Sequence, residues 1–180
     1  MGADVTLLDI NLHKLRELDA LFGPRLKTRY SEPAAIAELL AQSDLVIGEV
    51  LIAGHSAPRL VTRAHLTTMP KGAVLVDVAI DQGGCFETSE ITTHQNPVFT
   101  KYAVIHYYVP NIASRVARTA STALSNIFTP ILMELAETGG LDEMIFSQKW
   151  FMSGVYTYKG TLTNAAISRK IGLKYTDLNL

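Results

Sequence analysis

The stretch Ala73-Val74-Leu75-Val76-Asp77-Val78-Ala79-Ile80-Asp81-Gln82-Gly83-Gly84 decides how this chain folds. Its first six residues form the most apolar strand in the sequence. Two glycines then mark a loop in which a ligand can approach the backbone closely. A second apolar run, Asp44-Leu45-Val46-Ile47-Gly48, precedes it and reads as a buried strand. Between the two, Leu51 to Leu60 holds Gly54 and Pro58 and reads as a loop. Thr62 to Met69 reads as a short helix, and Pro70-Lys71-Gly72 as a turn.

Towards the start of the chain, Val5 to Asp9 reads as a strand. Asn11 is placed to cap a helix in which Leu12, Leu15, Leu18 and Leu21 recur with helical spacing through Phe22, stopped by Gly23-Pro24. Leu26 to Tyr30 alternates as a strand. Ser31 is a candidate cap, with Pro33 near the first turn of a helix over Ala34 to Gln42. In the other direction, Tyr102 to Val109 reads as one strand. The spacing predicts a long helix from Asn111 to about Thr138, bent or divided at Pro130 and ended by Gly139-Gly140. A short helix over Leu141 to Trp150, a turn within Tyr156 to Thr161 and a last helix over Asn164 to Ile171 follow. Strands alternating with helices imply an α/β fold built on a parallel sheet, and such sheets bind ligands at the carboxyl ends of their strands.

With 180 residues, 48% of them hydrophobic, the chain is long enough for one well-filled core. A net charge of −1 and 18% charged residues give no electrostatic reason to expect a nucleic-acid or membrane-surface partner. A single cysteine cannot form an internal disulfide, which favours a reducing compartment and a cytoplasmic location. No apolar run is long enough for a membrane-spanning helix, and no secretory leader is expected from the first residues. The five histidines are scattered and no two lie at ligand spacing, so no metal site is expected. His106, at the end of a strand, fits a packed and hydrogen-bonded histidine better than a catalytic one.

Three places carry chemistry. Asp9 ends the first strand of this chain; in dinucleotide-binding sheets a carboxylate at the end of the second strand accepts the ribose hydroxyls of an adenosine, and the alternative is an Asp that simply caps the next helix. A glycine-rich phosphate loop should precede such an Asp by about 20 residues, whereas only eight residues precede Asp9 and no G-x-G-x-x-G occurs elsewhere. Asp81 follows the most buried strand. It either faces a nicotinamide or substrate or closes an Asx turn. Asn111 joins the last main strand to the long helix, as a cap, a ligand contact or both.

Val76-Asp77-Val78-Ala79-Ile80-Asp81-Gln82-Gly83-Gly84-Cys85-Phe86-Glu87 resembles a signature of the alanine dehydrogenase family. Leu7-Leu8-Asp9-Ile10-Asn11, Ala41 to Leu60 and Arg118 to Asn126 resemble the same family, so the likeness spans nearly the whole chain. The related NAD-binding subunit of proton-translocating transhydrogenase is similar, but usually carries Glu-Ala-Gly-Gly where Asp81-Gln82-Gly83-Gly84 stands here. Val109-Pro110-Asn111 departs from the commoner Val-Ala-Asn.

The resemblance implies reversible oxidative deamination of L-alanine to pyruvate and ammonium with NAD as cofactor, by a two-domain enzyme that is commonly a hexamer. It implies that Asp9 holds the adenosine ribose, with Lys14 and Ser31 near the adenosine end. Leu60 would line the cofactor site, Asp81 would be the catalytic carboxylate, and Val109, Asn111 and Ile112 would border the nicotinamide. It further implies that a His, an Arg and a Lys used in catalysis, together with the glycine loop, belong to sequence not present here. The expected architecture is therefore a Rossmann-like parallel sheet truncated at its N-terminal strand and helix, with a long helix and a small α/β C-terminal tail. Residues 1–110 would be the partial dinucleotide-binding domain, 111–139 the connecting helix, and 140–180 a tail on the substrate-domain side. The missing strand would lie between those ending at Asp9 and Gly48, leaving two edges whose unpaired groups cost about 1–3 kcal/mol each if buried. The chain would then re-pair its strands, borrow one from another copy, or be part of a longer protein. Such a fragment would not turn over alanine alone. Two other roles fit the same residues: a non-catalytic assembly module and a transhydrogenase-like NAD domain.

Overall fold

A computed structural model describes residues 2–50, 52 and 56–178; Gly54 and His55 of the loop expected after Gly48 lie outside the described residues. The chain divides into two compact units. The first takes in residues up to 52 and 56–110, and the second residues 111 onward.

In the first unit, β1 (Thr6–Asp9) pairs in parallel with β2 (Lys27–Tyr30), Asp9 standing opposite Tyr30. The helix between them, α1 (Leu12–Phe22), starts where the Asn11 side chain accepts a hydrogen bond from the Lys14 amide, and it buries Leu15. α2 (Pro33–Leu40) has its proline in the first turn, where the missing N–H costs nothing, and buries Ala35 and Leu40. Its cap residue is Glu32 rather than Ser31. β3 (Leu45–Gly48) begins a four-stranded sheet in the order β3-β4-β6-β5, completed by β4 (Val74–Asp77), β5 (Val98–Lys101) and β6 (Val104–Tyr107). The short α3 (Arg63–Leu66) is capped reciprocally, the Thr62 hydroxyl accepting from the His65 amide and the His65 ring from the Thr62 amide.

β4 is flanked by parallel neighbours on both sides. The core around it joins Leu66, Leu75, Phe86, Val104 and Tyr108.

The far edge of this sheet differs from the sequence reading. The stretch read as one strand from Tyr102 starts only at Val104, and an antiparallel edge strand, β5, precedes it. Tyr102 and Ala103 form the two-residue turn between them, both with positive φ (55° and 59°). Hairpins favour such turns because their twist matches that of the strands, but they are usually built from Asn and Gly. The sheet itself is open where the sequence reading leaves two edges, between the strands ending at Asp9 and Gly48. The β1-β2 pair is not hydrogen-bonded to the four-stranded sheet, so β1 and β3 each keep one edge with no strand partner among the described residues. The strands have not re-paired across that break.

The second unit opens with a 3-10 turn, Ile112–Val116, and continues into α4 (Ala117–Glu137). Pro130 lies inside α4 without dividing it. α5 (Leu141–Ser147) and α6 (Lys149–Met152) replace the single helix expected there, parted at Gln148, whose backbone is extended. β7 (Thr157–Tyr158) and β8 (Thr161–Leu162) form a hairpin. α7 (Ala165–Ile171) is capped by the Asn164 side chain, which accepts from the Ala166 and Ile167 amides. Among the described residues of this unit Met144 and Ile145 are buried, and Phe146 meets Tyr158 edge to face. Among the described residues no helix is long and apolar enough to cross a membrane.

Candidate functional site

The first unit brings two groups of candidate residues to the carboxyl ends of its parallel strands. The first group sits on β1 and β2. Asp9 Oδ1 accepts from the Asn11 amide at 2.8 Å, an Asx-type turn that leads the chain into α1. Asn11 in turn caps α1 at Lys14, and the Ser31 amide donates to the Asp9 carbonyl at 3.0 Å. Asp9, Lys14 and Ser31 are thus drawn together by local backbone geometry. Asp9 does serve the turn, but only with one oxygen; Oδ2 accepts no hydrogen bond among the described residues.

The second group is the loop leaving β4. Val78–Gln82 forms a 3-10 turn that carries Asp81 at the surface, and Gly83 (φ 91°) and Gly84 (φ 78°) turn the chain back. Gly84 lies against Asp77 and Ser89 so closely that a Cβ there would collide with Asp77 Oδ2 and the Ser89 hydroxyl. Gly48, at the end of β3, is tight for a different reason. Its φ is ordinary, but a Cβ would run into Cys85 Sγ and the Phe86 ring.

The segment from Ala57 to Val61 runs alongside this loop. The Ala57 amide donates to the Gln82 carbonyl, the Leu60 amide to the Cys85 carbonyl at 2.8 Å, and the Glu87 amide to the Val61 carbonyl. The Arg59 guanidinium donates to the Phe86 carbonyl, and Arg63 pairs with Glu87 at 3.3 Å. Leu60 is therefore held beside the Asp81 loop by main-chain bonds. Gln82 Oε1 is buried with no hydrogen-bond partner among the described residues. Such an atom is costly unless a donor reaches it.

Behind the loop lies a buried polar layer. Asp77 is fully buried at the end of β4, and its carboxylate accepts from the Cys85 amide at 3.1 Å, the Ser89 hydroxyl at 2.5 Å and the Cys85 thiol at 3.5 Å. Burial and the Asp77 charge push the Cys85 thiol up to about 12, which keeps it protonated and disfavours the thiolate at neutral pH. His106 is fully buried on β6, stacked on Phe99 at 4.7 Å, its Nδ1 bonded to the Val104 carbonyl and its Nε2 to Thr88 Oγ1. Thr88 Oγ1 also bonds the Tyr108 hydroxyl. Burial pushes His106 down from 6.5, favouring neutral imidazole, and pushes the Tyr108 hydroxyl up. The reading of His106 as a packed histidine fits this geometry. No group of three metal-ligating side chains occurs among the described residues.

Val109 follows β6 and is fully buried. Asn111 and Ile112 belong to the second unit. Asn111 is exposed, with φ 51°, at the head of the 3-10 turn, which it does not cap through its side chain, and Ile112 is half-buried. Sequence reasoning passed over Asp77, Gln82, Thr88 and Ser89. Asp77 carried a signal, since it is the one charged residue in an otherwise apolar strand, where a carboxylate needs donors. Nothing local marks Thr88 or Ser89.

The family described as Alanine dehydrogenase/PNT, C-terminal domain, matches residues 1–165. Alanine dehydrogenase 2 of Staphylococcus aureus (strain USA300) is 46% identical over 176 residues, covering 97% of this chain and 47% of that protein. A solved structure of L-alanine dehydrogenase superposes with a TM-score of 0.85 at 38% identity, covering 93% of this chain and 46% of the other. The transhydrogenase from Sinorhizobium meliloti superposes with a TM-score of 0.70 at 28% identity, covering 92% of this chain and 43% of the other. The chain spans about half the length of the curated relatives it matches.

Proposed function

Because the chain belongs to the alanine dehydrogenase/PNT C-terminal domain family over residues 1–165, we propose that it is the NAD-binding part of an alanine dehydrogenase. Such an enzyme converts L-alanine, NAD and water to pyruvate, ammonium, NADH and a proton. The observation that carries the reading is Asp81, presented at the surface by a clamped glycine loop at the carboxyl edge of a parallel sheet. One atom tests whether the residues suit NAD. Asp9 Oδ2 accepts no hydrogen bond among the described residues at the end of β1, which matches a ribose hydroxyl, and its negative charge disfavours a 2′-phosphate. It fits.

In this reading Asp9 holds the adenosine ribose, with Lys14 and Ser31 at that end. Leu60 supplies an apolar wall, and Val109 borders the nicotinamide. NAD would supply the hydride acceptor for the alanine Cα once the substrate amine is neutral. Asp81 would stabilise the positive iminium left on the substrate, take a proton at its carboxylate as water adds to that carbon, and return it to the amino nitrogen. The C–N bond then breaks as the new hydroxyl becomes the carbonyl, its proton leaving with the amine as ammonium. The substrate carboxylate needs cationic partners from outside this chain, so the chain by itself does not turn over alanine.

The alanine dehydrogenase reading is favoured over the transhydrogenase one by Asp81-Gln82 and by the higher structural likeness to L-alanine dehydrogenase. We further read the chain as a cytoplasmic protein that engages neither nucleic acid nor membrane, on its near-neutral charge and its single, buried, free cysteine, and as a homo-oligomer on its resemblance to the alanine dehydrogenase family. Titration of the 180-residue chain with NADH, followed by nicotinamide fluorescence, tests the central claim. Saturable binding is expected. No binding at millimolar NADH would overturn it. NADH appearing with alanine and NAD at the rate of a full-length enzyme would overturn the inactivity of the isolated chain.

A further inference from the structure

Asp77 is a fully buried carboxylate, and the three groups that donate to it, the Cys85 amide, the Cys85 thiol and the Ser89 hydroxyl, are all neutral and all lie on the loop that follows. A buried carboxylate tolerates that position only when its oxygens are bonded. The same bonds bind the loop to the sheet. Ser89 Oγ accepts from the Phe86 amide while donating to Asp77, and the Ser89 amide donates to the Phe86 carbonyl, so residues 85–89 close on the carboxylate as a ring. Gly84 lies against that ring with no room for a Cβ, and its amide returns to the Ala79 carbonyl. Asp81 stands within the turn thus closed at both ends.

We propose that Asp77 is a positioning residue for the reaction: its buried carboxylate fixes the Cys85–Ser89 ring, and through Gly84 fixes where Asp81 stands at the nicotinamide end of the site. The second half of this statement rests on the NAD-binding reading; the first half does not. Asp77 touches neither cofactor nor substrate and acts only through the loop.

Asp77→Asn and Ser89→Ala separate the two halves, the serine variant being the milder in case the first fails to fold. Amide hydrogen exchange of the chain without ligand reads the ring directly. Exchange at Cys85 and Phe86 should rise by about tenfold or more, as losing a hydrogen bond to a charged group implies, while amides in β4 and β6 hold steady. Unchanged exchange at both positions in both variants would overturn the positioning role. The functional half is read by comparing NADH with ADP-ribose, which lacks the nicotinamide. NADH affinity should fall by about tenfold while ADP-ribose affinity stays the same, because only the nicotinamide end has moved. An equal loss for both ligands would overturn the link to that end. If the unaltered chain binds neither ligand, the NAD reading and the functional half fall together, and hydrogen exchange still decides whether Asp77 holds the loop.

Discussion

Ala103 sits at φ 59° in a turn that most hairpins build with glycine. A left-handed residue with a Cβ costs roughly 1–2 kcal/mol. Its carbonyl accepts from the Gly72 amide at 2.8 Å, so the turn is held in place from outside. Ala103→Gly should therefore stabilise the chain by about 1 kcal/mol, less than the full strain because glycine also frees the unfolded chain. Thermal unfolding reads this as a higher Tm; a lower one would mean that the turn is not strained. His106 gives a second expectation at this scale. Its pKa is lowered by burial, so the folded state takes up a proton less readily than the unfolded chain does. Stability is then fully present above the ordinary imidazole value of 6.5 and is lost as pH falls below it. The slope for one such group is at most about 1.4 kcal/mol per pH unit. Urea unfolding between pH 7.5 and 5 should show that decline, and His106→Gln should flatten it. An equal slope in the variant would assign the decline to other groups.

Gly48 links one element to another. It ends β3 with an ordinary φ, so nothing about its backbone requires glycine; what requires it is Cys85 Sγ and the Phe86 ring arriving from the loop after β4. Gly48→Ala should destabilise the chain by about 1–3 kcal/mol through overpacking, against the mild stabilisation that alanine gives in open strand. Chemical denaturation measures it, and a neutral result would mean that the loop yields easily. Gly48 also shows what was legible in the sequence. The strands β1 to β4 and the helices α1 and α4 could be read from periodicity and caps because each is decided by its own residues. β5 could not, because its signal is the turn, and Tyr102-Ala103 spells no turn. The split between α5 and α6 escaped for the same reason: no glycine or proline marks Gln148. At the site, Asp9 and Asp81 were visible because strand-end carboxylates follow from the α/β pattern. The buried polar layer behind the Asp81 loop was not, since Thr88 and Ser89 acquire meaning only from Asp77, Tyr108 and His106, which reach them across the fold.

At the scale of the whole molecule the break in the sheet governs behaviour. β1 and β3 each present one strand edge without a partner among the described residues, and Leu45 and Ile47 on β3 are 56% and 61% exposed. These two side chains alternate onto the same face of β3, so the open edge carries an apolar surface beside a row of unpaired N–H and C=O groups. Water satisfies the polar groups where the edge is exposed, which removes most of the cost they would have if buried. It does nothing for the apolar pair. An edge of this kind lacks the inward charges, prolines and bulges that keep other edges from pairing, and pairing with a second chain buries both features at once. Concentration-dependent association of the purified chain is therefore expected in light scattering coupled to size exclusion. Ile47→Lys should shift it towards monomer without lowering Tm, because the side chain it replaces is mostly in solvent. A strict monomer at high concentration would show that hydration alone suffices for this edge. Association that persists undiminished in Ile47→Lys would move the interface elsewhere, and α4, which has no buried residue along its whole length, would be the next surface to test.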